Sequence, residues 1–302
     1  MSIKTGRAEG VAEVTIDYPR CTVCGLCITV CKGGPLYLDN GKVLIDQTRG
    51  FGCIACGHCV VVCPQDCIAV SGRDLVPEDI IALPEKNARA DYPQLHSLLL
   101  SRRSIRKYLP KEVEPEVIQK IIDAVTTAPM GIPPSDVEML VFNNREKVQS
   151  FAKDMIDQLK KSKGMFNPPM LYLWRPLIGK EGYEMFKTFL IPLIDMLIKN
   201  YDEGTDMLFY NAPLGMYFHT ASTSDPADAI IAATYAVIAA ESLGLGSCMI
   251  GTVAPFMKRS KPLKLKYGIP LKNQQGIMVI FGYPALRFKK ALTRRLAKVK
   301  FV

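Results

Sequence analysis

From about residue 93 onward the chain alternates between two hydrophobic periods. In Glu116–Thr127 the apolar side chains Val117, Ile118, Ile121, Ile122 and Val125 fall on one stripe at helical spacing, which predicts an amphipathic helix. VEMLVFN, residues 137–143, is apolar and rich in strand formers, so it reads as a strand. MLFYNAPLGMYFH at 207–219 reads as another, and GIMVIFGYP at 276–284 as the last. Between these two, Asp225 suits an N-cap, Pro226 the first helical position and Gly244 the far end. The helix so bounded, Pro226–Leu243, is apolar nearly all round and is expected to be deeply buried or to lie at a subunit interface. Residues 150–204 also carry helical spacing, interrupted by Pro168, Pro169, Pro176 and Pro192.

The pattern upstream is different. Short extended pieces such as VAEVTID and KVLID stand among cysteines and glycines, and no long helix is predicted. Residues 73–92 are polar, contain Pro77 and Pro84, and read as a linker. The expected organisation is a first domain over 1–72, the linker over 73–92, and a second domain over 93–302. A length of 302 residues with 48% apolar content suits two globular domains. The first ten residues hold no apolar signal core, and the apolar run Ala229–Ala240, bounded by Asp228 and Glu241, is too short to span a bilayer. A soluble, cytoplasmic protein is expected.

The net charge is +9, and residues 1–75 contribute seven basic and seven acidic side chains, so the whole excess lies downstream. Arg287–Lys300 alone holds seven basic residues and no acid. No basic motif is interleaved with aromatics, so a nucleic-acid surface is not read here. A phosphate-bearing cofactor, or an acidic redox partner drawn in by the field, suits the charge better.

Eight of the ten cysteines sit in two copies of one pattern, CTVCGLCITVC at 21–31 and CIACGHCVVVC at 53–63. Each has the spacing C-x2-C-x2-C-x3-C. Zinc sites use paired C-x2-C knuckles, so three cysteines at successive two-residue gaps plus a fourth suit an iron–sulfur cube better; zinc and a disulfide scaffold are the alternatives. Residues 10–72 resemble the two-cluster bacterial ferredoxins. That resemblance implies two 4Fe–4S clusters, one on Cys21, Cys24, Cys27 and Cys63, the other on Cys53, Cys56, Cys59 and Cys31. Gly25 and Gly57 then fit loops that need positive φ and turn N–H groups toward sulfur. Lys32 departs from the proline that usually follows the fourth cysteine, which the second copy keeps as Pro64. Cys67 and Cys248 are expected to be ordinary buried thiols, and His58 a bystander.

In the second domain, SRRSIRKY at 101–108 concentrates Arg102, Arg103, Ser104 and Arg106, the donors a phosphate monoester needs. It resembles the N-terminal signature of the nitroreductase family, whose members bind FMN. In that family's order follow APMGIPPSD (128–136), YNAP (210–213, read as strand), ESLGLGSCMIG (241–251) and GYP (282–284), then Arg294. The resemblance implies that Arg102, Arg103, Ser104, Arg106 and Arg294 hold the FMN phosphate and ribityl chain. It implies that Pro129, Met130 and Gly131 line the flavin. Ser247 and the backbone of Met249, Ile250, Gly251 and Thr252 would pass the ring near N5. It also implies an α+β fold: a ferredoxin-like two-cluster domain followed by an α/β sandwich in an intertwined homodimer, with 150–204 as a variable helical cover. Trp174, Phe186, Phe189 and Tyr201 of that cover read first as packing and second as pocket lining. No catalytic side chain is assigned; His96 and His219 receive no role.

Together these readings imply a ferredoxin-coupled, FMN-dependent oxidoreductase in an anaerobe's cytoplasm. Electrons would come from a ferredoxin- or flavodoxin-type protein and go to a nitro compound, quinone or activated alkene. Two alternatives stand beside it: an NAD(P)H-oxidising flavoprotein that sends electrons out through the clusters, and a non-catalytic electron-transfer or redox-sensing subunit.

Overall fold

The computed structural model describes residues 4–164 and 168–302. The chain divides into two compact units, one made of the residues up to Ala90 together with Met130–Asp136 and Thr223–Asp225, the other of the rest.

The first unit is built from three antiparallel strand pairs and two short helices. Strands β1 (Lys4–Thr5) and β2 (Ala8–Glu9) form one pair. Strand β3 (Glu13–Ile16) pairs with β6 (Ile68–Ser71), setting Val14 against Val70 and Ile16 against Ile68. Between them, β4 (Leu36–Asp39) and β5 (Lys42–Ile45) close a hairpin over Asn40-Gly41, both at positive φ (45° and 71°), as a two-residue primed turn requires. Helices α1 (Leu26–Val30) and α2 (His58–Val61) pack on each other, one from each cysteine copy. The small core comprises Ala12, Val14, Leu36, Val43, Ala55, Cys59, Ile68 and Val70. So few apolar residues are a thin core for such a unit, and domains of this kind commonly need a further staple.

The second unit is a four-stranded antiparallel sheet covered by helices. Its strands are β7 (Val137–Phe142), β8 (Leu214–Thr220), β9 (Gly246–Ile250) and β10 (Gln274–Gly282), in the order β7-β8-β10-β9. All seven residues of β8 are buried, which places β8 under cover on both faces. Met278, Ile280, Tyr217, Cys248 and Phe142 face one core with helix α5 (Arg145–Lys163), which contributes Val148, Phe151 and Met155. The opposite face meets α8 (Pro226–Ser242), which contacts every strand and also α3 (Tyr92–Ser101) and α4 (Pro115–Thr126). In α4 the predicted stripe is buried as Ile118, Ile121 and Val125. Burying one such side chain stabilises by about 1.5–3 kcal/mol.

Helix α8 approaches the sheet closely because its inner face is alanine: Ala229, Ala232, Ala233, Ala236 and Ala240 are each buried completely. Its end is a Schellman motif. Gly244, at φ 76°, donates to Glu241 O, and Leu245 N–H reaches Ala240 O at 2.8 Å. The helix is not buried all round, for Ile230 is 47% exposed on its outer side.

Two expectations change. The strand expected over 207–219 begins only at Leu214, so YNAP is a turn. The Asp206 carboxylate accepts the N–H groups of Leu208, Phe209 and Asn211 at 2.9–3.0 Å, and Tyr210 and Asn211 take positive φ, which stops a strand there. In the 150–204 segment, α6 (Pro168–Met185) breaks at Gly179 (φ 71°) while Pro176 is accommodated inside. A π-helical turn at Phe186–Leu190 leads into α7 (Ile191–Asp202), with Pro192 harmless in its first turn. The unit is completed by α9 (Val253–Arg259) and α10 (Lys261–Lys266).

Candidate functional site

In the first unit the two cysteine copies fold alike. Val23 (φ 57°) and Gly25 (φ 74°) flank Cys24, and Ala55 (φ 58°) and Gly57 (φ 74°) flank Cys56. Left-handed residues alternating with ordinary ones turn successive N–H groups to one side, a concavity suited to anionic sulfur. The third cysteines, Cys27 and Cys59, then lie in α1 and α2. Cys21, Cys24, Cys27 and Cys63 line one cavity. In the other set, the Cys59 thiol is pushed up to about 12, first by burial and then by Cys53, Cys56 and Cys31. The fourth cysteine of each copy therefore lies with the three of the other. Among the described residues no three His, Cys, Asp or Glu side chains converge on a point that a single ion could occupy. Cys21, Cys24, Cys27 and Cys63 instead line a cavity, and a soft four-thiolate set around a cavity fits an iron–sulfur cube. Gln47 braces the approach: its amide donates to Ala12 O and its carbonyl accepts Cys53 N–H, both at 2.9 Å. Cys67 and Cys248 are buried as expected, but Cys67 Sγ lies 3.4 Å from Cys63 Sγ.

In the second unit, three of the segments singled out in sequence are laced side by side. Ser104 bridges to Ser247 in parallel, and Ile105 donates to Ser247 O at 2.9 Å. Leu109 then donates to Tyr283 O at 2.8 Å, and Ala285 to Lys107 O at 3.0 Å. The arginine-bearing segment thus extends the sheet beyond β9. A Cβ at Gly246 would stand 2.4 Å from Ile105 Cγ1 and 2.6 Å from its Cβ, so only glycine permits this approach. The Tyr108 hydroxyl donates to Ile105 O at 2.7 Å, and burial pushes that phenol up. Farther along, Glu114 accepts from Lys111 (2.7 Å) and from the Tyr283 hydroxyl (2.5 Å). Those two hydrogen bonds, Lys111 first, hold its carboxyl down at about 2.

Arg103 faces a cleft of about 400 Å³ that Arg287, Lys289 and Lys290 also line, with Gly244–Gly246 behind them. Its Nη1 donates to Arg102 O at 2.6 Å, while Nη2 is buried with no hydrogen-bond partner. A buried, unpartnered guanidinium nitrogen is costly.

The sequence profile of the nitroreductase family matches residues 99–283, and that of the 4Fe–4S dicluster domain matches residues 13–64. The chain belongs to the nitroreductase family. It is an FMN-dependent oxidoreductase with an amino-terminal 4Fe–4S dicluster domain. A ferredoxin-like protein in the vnf region of Azotobacter chroococcum is 40% identical over 55 residues, 18% of this chain and 85% of that protein. Among solved structures, an FMN-dependent nitroreductase from Clostridium difficile is similar at 23% identity and TM-score 0.44, over 68% of this chain and 98% of its own. A nitroreductase with bound FMN from Bacteroides fragilis is similar at 19% identity and TM-score 0.47, over 69% and 98%.

Within the nitroreductase domain, the residues expected to hold FMN are only partly gathered. Arg103 reaches the cleft, but Arg106 does not: its guanidinium lies 5.8 Å from the Tyr210 ring, in a separate cleft shared with Tyr201 and Asp206. Alternation along an extended segment explains the split, since Arg103 and Ile105 point one way and Arg106 the other. Ser247 is 2% exposed, so neither its side chain nor its backbone is offered. Met249, Gly251 and Thr252 remain accessible at the strand end, while Ile250 is buried. Pro129 is exposed in this unit, whereas Met130 and Gly131 belong to the first. Arg294 lies in the exposed tail and does not line the cleft. Arg287, Lys289 and Lys290 line it, residues visible in the sequence only as part of a basic run.

Beyond Gly251 and Thr252 opens a second cavity of about 490 Å³, walled by Phe186, Phe189 and Leu193 from the helical cover and by Phe256 from α9. Trp174 and Tyr201 pack beside the core instead. Among the described residues no helix is long and apolar enough to cross a membrane.

Proposed function

We propose that this protein is a ferredoxin-coupled reductase that takes electrons one at a time from a small redox protein and delivers them in pairs to a nitro compound, quinone or activated alkene. The observation that carries this reading is the pairing, in one chain, of two crosswise four-thiol sets with an electropositive cleft laced to the Gly246–Ile250 strand. When bound, the clusters supply one-electron transfer, and FMN supplies the link between single electrons and a two-electron, two-proton reduction. The stoichiometry closes with two reduced donor proteins and two protons per quinone or alkene reduced.

The chain's own residues bind and place these groups. Cys21, Cys24, Cys27 and Cys63 hold one cluster, and Cys53, Cys56, Cys59 and Cys31 the other. Arg103, joined by Arg287, Lys289 and Lys290, holds the phosphate of FMN, since guanidinium forks and ammonium groups match its charge and geometry. Arg102, Ser104 and Arg106 alternate to the other side of the same extended segment, where Arg106 lines the cleft shared with Tyr210. The accessible backbone of Met249, Gly251 and Thr252 borders the ring, and close approach there needs the small residues present. The excess of positive charge lies downstream of residue 75, which suits an acidic donor protein steered by the field.

The same reading includes a homodimer. In the nitroreductase domain Ile230 of α8 is 47% exposed, and the tail leaves Leu292, Leu296 and Phe301 at 73%, 79% and 94%. Exposed apolar side chains of this size need a surface, and a partner subunit supplies one.

The test is anoxic mixing of the reconstituted protein with NADH, NADPH and a reduced ferredoxin, each separately, while flavin and iron–sulfur absorbance are followed. Bleaching by reduced ferredoxin alone supports the proposal. Flavin bleaching by a nicotinamide ahead of the clusters reverses the direction and makes the protein an NAD(P)H oxidant serving an external acceptor. Reduction without turnover of any organic acceptor leaves an electron-transfer subunit.

A further inference from the structure

Resting on the function just proposed, we propose that the natural acceptor is an amphipathic acid: a reducible group at one end, an apolar body, and a single anionic group about 10 Å away. The cavity beyond Gly251 and Thr252 carries this inference. Its walls are aliphatic and aromatic side chains, and its lining holds only two polar side chains, Thr252 and Arg259. A volume of about 490 Å³ is that of a site for one small organic molecule.

The two polar groups stand at opposite ends of one helical stripe. Thr252, Pro255, Phe256 and Arg259 follow the spacing i, i+3, i+4, i+7 along α9, so all four face the cavity from one side. Seven residues at the helical rise separate the first from the last by about 10 Å. The Thr252 end adjoins the segment that borders the flavin ring in the proposed function, so reduction belongs there. The Arg259 end is exposed at the cavity mouth and offers a guanidinium that makes no ion pair or side-chain hydrogen bond among the described residues. No acidic side chain lines the cavity to neutralise it. An uncharged apolar acceptor would leave this cation unused, and a cationic one would be repelled by it. A carboxylate at the far end of an apolar body satisfies both walls and charge.

The test uses 4-nitrophenyl alkanoic acids of increasing chain length and their methyl esters, with the full-length holoprotein. Binding is read by equilibrium dialysis and turnover by anoxic flavin reoxidation. The acids are expected to bind more tightly than the esters once the chain spans the stripe, by on the order of fivefold for a partly solvated ion pair. Arg259→Gln abolishes that preference and Arg259→Lys restores most of it, with ester binding unchanged in both. Equal binding of acid and ester at every length, or a preference that survives Arg259→Gln, overturns the inference. If the Arg259-dependent preference is present but no nitro compound is turned over, the assignment of the cavity stands and the proposed reductase activity fails. Turnover without the preference means the reverse.

Discussion

Arg103→Met separates binding from stability in the nitroreductase domain. The substitution keeps most of the apolar stem and removes the guanidinium. In the apoprotein it removes a buried, unpartnered Nη2, worth about 1–3 kcal/mol of relief, together with the Nη1 bond to Arg102 O. A hydrogen bond from a charged group contributes about 1.5–3 kcal/mol, so the two effects nearly cancel and the apoprotein should melt within about 3 °C of the parent. Binding of FMN should suffer in full. Losing one charge-assisted contact to phosphate weakens affinity by about 10- to 100-fold. A 100-fold loss removes about 2.7 kcal/mol of ligand stabilisation, which for a domain near 200 residues is roughly 5–11 °C of melting temperature. The assay is thermal unfolding of the full chain with and without added FMN, paired with flavin retained after gel filtration. A variant whose FMN-dependent rise in melting temperature equals the parent's would refute the placement of the phosphate. A variant whose apoprotein alone collapses would show that Arg103 is structural.

Gly246→Ala should destabilise the second unit by about 1–3 kcal/mol, because the new methyl meets the branched Ile105 Cβ at 2.6 Å rather than a movable side-chain end. Flavin occupancy should fall with it, and Ile105→Ala should rescue the double variant only in part, as read by a double-mutant melting cycle. Cys31→Ala and Cys63→Ala should each cut bound iron from about eight to about four atoms per chain, whereas Cys67→Ala should leave it unchanged; colorimetric iron decides this. His219 is 1% exposed, and its Nδ1 lies 3.2 Å from Asn273 Nδ2, a donor that also serves Glu138. Burial lowers its pKa below the usual value of 6.5, so the unfolded chain takes up the proton first. The stability it contributes is complete above pH 6.5 and is lost as pH falls below it. Melting temperature should therefore drop from pH 7.5 to 5.5, and His219→Gln should flatten that slope.

Local chemistry was legible in the sequence, and long-range pairing was not. The positive φ at Gly25 and Gly57 follows from where the cysteines must point, and the α4 stripe follows from periodicity, because both are decided within a few residues. YNAP failed because Asp206 captures three backbone N–H groups from four residues upstream of Tyr210 onward, a side-chain interaction that competes with strand pairing and leaves no apolar signature. Of the prolines that interrupt the helical spacing, Pro176 is accommodated inside α6, and the break comes instead at Gly179, because a positive φ cannot be continued through a helix.

The arginine segment shows the same division more sharply. Arg102, Arg103, Ser104 and Arg106 read as one cluster because they are neighbours in sequence, yet an extended backbone sends alternate side chains to opposite faces. Once Ser104 pairs with Ser247, Arg103 and Arg106 must part, and the cleft needs cations from elsewhere. Leu109 and Ala285 supply the means: their hydrogen bonds to Tyr283 and Lys107 carry the chain after β10 past the arginine segment, bringing Arg287, Lys289 and Lys290 beside Arg103. The basic tail is therefore the part of the cleft that a motif cannot contain, because its position is set by strand pairing rather than by spacing. A motif and an anonymous basic run thus line one cleft together, and only the pairing reveals which members of each take part.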